Sequence, residues 1–384
     1  MMYFDNAATT YPKPSGVTQA VSIAVTRFGG NPGRSGHAMS LRAAQMVYDC
    51  RGKAAALFGC EEVERIIFTK NCTEATNVAI KGYLPNRCHL IISDLEHNAV
   101  SRPVFALSQK NGVSYSIAHV VEGDPEQTVR NFEQEIRAGK TRAIVTTHAS
   151  NVFGVTVPIQ RLYELCESYG LRLIIDAAQT AGVLPIDLKS MPNACLCTAG
   201  HKSLYGPTGT GLFVAAPGEL PQTIMEGGTG SFSEDLAQPD LLPDRMESGT
   251  VNTVGICGLA AGIDFVQRTG IKKIETHERK LARYFYQKIQ KVPGVILYTA
   301  CPEEGSHVPV VSFNLKGMHS EEVSTALNHM GVAVRAGLHC APLAHQAYST
   351  LETGTVRASF SAFNTPQETE RFAWMIKKIA EKRT

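Results

Sequence analysis

Four polar residues follow short apolar runs: His97 after HLIISDLE, Asn151 after RAIVTTHAS, Asp176 at the end of LRLIID and Lys202 shortly after ACLCT. Asp176 and a lysine 26 residues later suit pyridoxal phosphate chemistry. A lysine amine condenses with that cofactor's aldehyde, and a carboxylate facing the pyridine nitrogen keeps it protonated so that the ring accepts electrons. On these two residues alone, a solvated loop lysine and a helix-capping aspartate are the readier reading. Two neighbouring segments add weight. GHKSLYGPTGTG places His201 and Lys202 before a proline and glycine turn, and KNCTEATN places Thr73 at a strand–helix junction. Free amides and a hydroxyl at a helix start form a phosphate cradle. Thr73 also reads as an N-cap with Glu74 or Thr76 in its first turn, and His201 as a core histidine.

An alternation of strand and helix must position these residues. From about residue 65 to 215, RIIFT, HLIIS, RAIVTTH, LRLIID, ACLCT and GTGLFVA alternate with helix-like segments such as EATNVAIKGYL, HNAVSRPVFALSQ and PIQRLYELCESYG. This is the pattern of a parallel α/β domain, with strands apolar on both faces because helices cover both. After the glycine-rich EGGTGSFSEDLAQPDLLPD, an amphipathic stretch near 273–291 leads to GVILYTA, VPVVSFNL, a helix near 320–330, VAVRAG and VRASFSAF. A smaller α+β unit is expected there. Ligands of open α/β sheets sit beyond the carboxyl ends of the strands, which is where His97, Asn151, Asp176 and Lys202 fall.

Composition narrows the alternatives. The 384 residues carry 37 basic and 35 acidic side chains, a formal charge of +2, with 43% hydrophobic and 19% charged residues. A near-neutral, apolar chain lacks the footprint of a general nucleic-acid binder and does not read as disordered. No run reaches the ~18 apolar residues of a membrane span. The start, MMYFDNAATT, has no basic segment before an apolar one, so a cytoplasmic protein is expected. Ten scattered cysteines read as reduced thiols. Cys195 and Cys197 would share one face of a strand, and with no C-x-x-C pair no metal site is expected.

Nine segments extend the reading: FDNAATT, NCTEATNVAIKG, LEHNAVSRP, ASNVFGVTVPI, DAAQTAGVLPID, GHKSLYGPTGTG, ESGTVNTVGICGLAAGI, RAGLHCAPLAH and VRASFSAFNT. In this order they resemble the motifs of the cysteine desulfurase family, in the class V aminotransferase group of fold type I pyridoxal phosphate enzymes. The resemblance spans nearly the whole chain. It implies a large, mostly parallel-sheet domain over residues 16–260 and a small domain from 1–15 and 261–384 that carries the cysteine segment and a carboxylate-binding arginine. It implies Lys202 as the Schiff-base lysine, Asp176 at the pyridine nitrogen, Gln179 at the phenolic oxygen and His97 stacked on the ring. Thr73 and His201 resemble phosphate contacts, and Thr250 the phosphate contact that a partner subunit supplies in a homodimer. Arg357 resembles the arginine that grips the substrate carboxylate, with Arg335 in support and Asn151 supporting both that carboxylate and the cofactor's ring oxygen.

Cys340, in RAGLHCA, distinguishes sulfur chemistry from amino-group transfer, because abstraction of sulfur needs a thiolate nucleophile. Arg335 and His339 are expected to favour the thiolate, and Gly337 to let the loop approach the cofactor. The resemblance implies that L-cysteine is converted to alanine, with sulfur carried as a persulfide on Cys340 towards an acceptor protein, as in iron–sulfur cluster assembly. L-selenocysteine cleavage and plain class V amino transfer remain alternatives. The compact cysteine segment resembles the group II, short-loop branch. Three positions depart from the family pattern: Ala199 stands where Ser or Thr is usual, with Thr198 one place earlier; Cys72 precedes Thr73 where Thr is common; Ser203 follows the lysine. Arg34 and His37, in NPGRSGHAMS, read either as a gate near the site or as a turn.

Overall fold

The computed structural model describes residues 1–33 and 36–381. Arg34 and residues 382–384 lie outside them. The chain opens with β1 (Met2–Tyr3), α1 (Ser15–Arg27) and α2 (Ala38–Phe58). His37 caps α2, its Nδ1 accepting from the Ser40 amide at 3.2 Å. The main sheet then builds through β2 (Ile66–Thr69), α3 (Cys72–Tyr83), β3 (His89–Ser93), α4 (Asn98–Lys110), β4 (Ser114–Ala118) and α5 (Pro125–Gln134). It continues through β5 (Thr141–Thr147), α6 (Ile159–Tyr169), β6 (Arg172–Asp176), β7 (Cys195–Ala199) and β8 (Gly211–Val214).

These seven strands lie in the order β2-β8-β7-β6-β5-β3-β4. Only β8 runs against its neighbours; the other pairings in the sheet are parallel. Alternate residues face two separate apolar layers. Leu173, Ile175 and Leu196 enter the layer formed with α2 and α6, whereas Ile174, Cys195 and Cys197 enter the layer formed with α3 and α4. Double burial explains the unbroken apolar runs, and Cys195 and Cys197 share a face as the alternation predicts. The winding direction reverses between β3 and β5, where such a sheet opens a crevice at its carboxyl edge.

Helix α7 (Thr253–Thr269) packs on α1 and α2 and joins the core of the main sheet, and the second unit comprises α8 (Ile271–Ile289), β9 (Val295–Leu297), β10 (Val310–Leu315), α9 (Ser320–His329) and β11 (Val332–Ala333). It ends with β12 (Arg335–Gly337), α10 (Pro342–Ala347), β13 (Thr355–Ser359) and α11 (Pro366–Glu381). An antiparallel sheet, β12-β13-β10-β9, carries an aromatic core of Phe4, Phe285, Phe313 and Phe372. Phe4 brings the amino terminus into this core, and β1 pairs in parallel with β11. FDNAATT is thereby carried to the crevice between the two sheets. No helix of the described residues is long and apolar enough to cross a membrane.

Candidate active site

A cavity of about 200 Å³ opens at the carboxyl ends of β5, β6 and β7, bounded on its far side by β12 and β13. Nine predicted site residues line it: Thr73, His97, Asn151, Asp176, Gln179, His201, Lys202, Arg335 and Arg357. Residues from both ends of the chain meet there.

Asp176 ends β6 and is 4% exposed. Its Oδ1 accepts from the Ala178 amide at 2.9 Å and from the Cys72 thiol at 3.3 Å. Lys202 follows β7, and no hydrogen bond holds its Nζ among the described residues. Burial pushes the Lys202 amine down from the ordinary lysine range, with Asp176 opposing the shift. An amine so placed is readier to act as nucleophile or base. The backbone beneath it passes close: Gly182, at φ 91°, lies where a Cβ would collide with the Ser203 carbonyl. Only glycine fits there.

The helix start beside them is a free anion cradle. Asn71, not Thr73, caps α3, its Oδ1 accepting from the Glu74 amide at 2.9 Å, so the Thr73 hydroxyl is not spent on the cap. His97 caps α4 through Nδ1, which accepts from the Ala99 amide at 3.0 Å, so the ring proton sits on Nε2. Burial, then Lys202, lower its pKa to about 4. His201 is lowered to about 4 by burial and by Lys202 and Lys13. Both rings are neutral near pH 7.

Ala199 lines the cavity without a hydroxyl, and Thr198 does not replace it, because its Oγ1 donates to the Ala177 carbonyl at 3.3 Å. Gln179 Nε2 donates to the Ala7 carbonyl at 3.1 Å. Arg357, on β13 and 1% exposed, donates from Nη1 to the Asn151 carbonyl and from Nη2 to Asp5 Oδ1, both at 2.8 Å.

Cys340 is exposed just outside the cavity lining, whereas eight of the other cysteines are buried. The loop beneath it is pinned. Asn98 N donates to the Cys340 carbonyl at 2.7 Å, and Asn151 Nδ2 to the His339 carbonyl at 2.8 Å. His339 and Cys340 take φ values of 50° and 58°, a left-handed pair rare outside glycine. Arg335 Nη2 approaches Cys340 Sγ at 3.9 Å. Two expectations are corrected here. His339 does not lend positive charge to the thiol: its Nε2 is bound to Thr355, and burial, then Arg357, push it down to about 2, so it is neutral. Gly337 is not a point of cofactor approach. It lies in β12, where its backbone meets Gly354, and it is absent from the cavity lining.

Thr250 lies away from this cavity, exposed, accepting from Asn31 Nδ2 at 3.2 Å. Sequence reasoning assigned no role to three groups that the fold brings in: Asp5 at Arg357, Cys72 at Asp176, and Glu96. Glu96 is buried beside His97; its Oε1 accepts from the Thr147 amide at 2.8 Å and from the Ser93 hydroxyl, and burial raises its pKa to about 8.

Four buried atoms of the lining have no hydrogen-bond partner among the described residues: Asn151 Oδ1, His201 Nδ1, His339 Nδ1 and Arg357 Nε. Leaving such atoms unpaired costs about 1–3 kcal/mol each. A cavity that leaves four unpaired is built for a polar ligand. Its lysine, carboxylate, helix start and arginine fit pyridoxal phosphate together with an amino-acid carboxylate.

Fold and site together define an α/β architecture with a cavity of the kind that suits pyridoxal phosphate. The chain belongs to the class V aminotransferase family, whose model matches residues 2–372, and that family depends on pyridoxal phosphate. It is 32% identical over 389 aligned residues to a probable cysteine desulfurase of Mycolicibacterium paratuberculosis, covering 99% of this chain but 56% of that protein's length. It is 30% identical to a probable cysteine desulfurase of Methanothermobacter thermautotrophicus, covering 99% of this chain and 94% of that protein. The apo structure of a cysteine desulfurase from Thermococcus onnurineus NA1 superposes with a TM-score of 0.88 at 28% identity, over 99% of this chain and 95% of that one.

Proposed function

We propose that this chain is a pyridoxal phosphate-dependent cysteine desulfurase. The observation that carries the reading is Cys340: an exposed thiol on a pinned loop beside a polar cavity, with Arg335 reaching both. Amino-group transfer has no use for such a thiol.

Thr73 and His201 would hold the cofactor's phosphate, Asp176 its pyridine nitrogen, Gln179 its phenolic oxygen, His97 its ring face and Lys202 its aldehyde carbon. Bound there, the cofactor supplies a sink for the electrons of the substrate Cα. Arg357 grips the substrate carboxylate, helped by Arg335 and Asn151, and so fixes which bonds face Lys202 and Cys340. The Lys202 amine, held low in basicity by burial, takes the Cα proton. The Cys340 thiolate attacks the substrate sulfur; the carbon–sulfur bond breaks as the sulfur–sulfur bond forms. The products are alanine and a Cys340 persulfide, with every atom of cysteine and thiol accounted for.

Exposure of Cys340 lets the persulfide pass to an acceptor protein, and cluster assembly in the cytoplasm is a fitting destination for a chain whose ten cysteines are all free. Two copies would place Thr250, remote from its own cavity, at the partner's phosphate. The test measures visible absorbance of protein supplied with pyridoxal phosphate, then alanine and sulfide from L-cysteine with a reductant, for wild type, K202A and C340A. Expected are absorbance lost only in K202A and sulfide lost in both variants. Sulfide release surviving in C340A overturns the reading, and sedimentation as a monomer overturns the shared site.

A further inference from the structure

We infer that Cys72 is a positioning residue of the cofactor site: its thiol holds the Asp176 carboxylate while its backbone opens the helix that carries the phosphate cradle, tying the two ends of the site together. This rests on reading Asp176 as the group that faces the pyridine nitrogen.

The geometry assigns the two carboxylate oxygens different tasks. Oδ1 takes both protein hydrogen bonds, from the Cys72 thiol at 3.3 Å and the Ala178 amide at 2.9 Å. Oδ2 takes none among the described residues, and the side chain lines the cavity. A carboxylate held through one oxygen by donors from two directions cannot swing about its Cβ–Cγ bond, and the other oxygen stays aimed at the ligand. The Ala178 amide belongs to the segment after β6 itself and fixes the carboxylate only locally. The thiol comes from α3, 104 residues away, and is the sole side chain on Oδ1 among the described residues. Cys72 is the first residue of α3, directly before Thr73. A shift of the phosphate cradle therefore moves the anchor of Asp176.

The thiol is suited to lasting donation. Burial first, then the negative charge of Asp176 and the neighbouring Cys197, raise its pKa well above the ordinary thiol value, which favours the protonated, donating form. The other two near-site thiols do not substitute: Cys72 lines the cavity, whereas Cys197 and Cys340 are absent from its lining.

The test uses cofactor-free full-length protein titrated with pyridoxal phosphate, in wild type, C72A and C72S. Loss of one hydrogen bond from a weak thiol donor is expected to weaken cofactor binding about fivefold in C72A, and the serine hydroxyl to restore it to within about twofold of wild type. Wild-type affinity in C72A overturns the inference; so does C72S as weak as C72A, which would make the role one of volume alone. A second readout needs no cofactor: the infrared S–H stretch of Cys72, isolated as the difference between wild type and C72S. It is expected below the frequency of an unbonded thiol and to move in D176N. An S–H band at the unbonded position, or one that ignores D176N, overturns the inference as well. Wild-type protein that takes up no pyridoxal phosphate instead sinks the proposed function, while the S–H band still reports on the contact.

Discussion

Asp5 and Arg357, 352 residues apart in the chain, meet in a 2.8 Å ion pair at the base of the cavity. The guanidinium is 1% exposed and Asp5 is the only carboxylate that touches it among the described residues. Removing one partner of such a pair leaves an uncompensated buried charge, which typically costs about 3 kcal/mol. Asp5→Ala is therefore expected to lose about 2–3 kcal/mol in urea unfolding. Asp5→Ala combined with Arg357→Met is expected to recover at least half of that, because the stranded cation is gone. A double variant as unstable as the sum of the two singles would show that Asp5 acts elsewhere.

Cys340→Ala is expected to leave stability within about 1 kcal/mol of wild type, since the side chain is exposed and makes few contacts. Cofactor uptake is expected unchanged. Sulfide formation from L-cysteine, read with methylene blue, is expected to fall at least about a hundredfold, because the thiol that lines the cavity, Cys72, is buried and bonded to Asp176. Mass spectrometry of the wild type is expected to find an added sulfur on Cys340 and on no buried cysteine.

Much of this site is readable in the sequence because strand ends are local signals. An apolar run followed by a polar residue marks Asp176, Asn151, His97 and Lys202 without any three-dimensional information. The antiparallel entry of β8 beside β7 is not readable in that way, since GTGLFVA is as apolar as the parallel strands. Nor are Asp5 and Cys72. Each matters through a contact more than 100 residues away, and nothing in FDNAATT or KNCTEATN distinguishes a buried partner of a cation or carboxylate from an ordinary turn or cap. His339 misled for the related reason that adjacency to Cys340 fixes its place in the chain, while the left-handed turn there sends its ring inward to Thr355.

Ala199 offers a gain-of-function check. It lines the cavity next to His201 and Lys202, and Thr198 points the other way. Ala199→Ser adds one hydroxyl on the cavity side, and a net hydrogen bond of about 1 kcal/mol corresponds to about fivefold tighter binding of pyridoxal phosphate. Thr198→Ala is expected to leave cofactor affinity unchanged and to cost only stability. Fluorescence titration of the cofactor-free proteins separates the two, and an Ala199→Ser variant no tighter than wild type would place the phosphate elsewhere.

Glu96 makes stability fall with rising pH. In the folded chain burial holds its proton to about pH 8, whereas an unfolded glutamate releases it near pH 4.3. Between those values the folded state binds the extra proton, so the contribution of this group is complete below about pH 4.3, declines by up to about 1.4 kcal/mol per pH unit, and is gone once the pH passes 8. Glu96→Gln keeps an oxygen for the Thr147 amide but cannot titrate. Its unfolding free energy is expected to vary less between pH 5 and 8, with the wild-type advantage shrinking by about 2–4 kcal/mol across that interval. Glu278, which burial also raises to about 8, is present in both proteins and cancels in the difference. Parallel stability curves for the two proteins would mean that Glu96 is already ionised in the fold, with its second oxygen, unpartnered among the described residues, solvated by water that reaches it from the cavity.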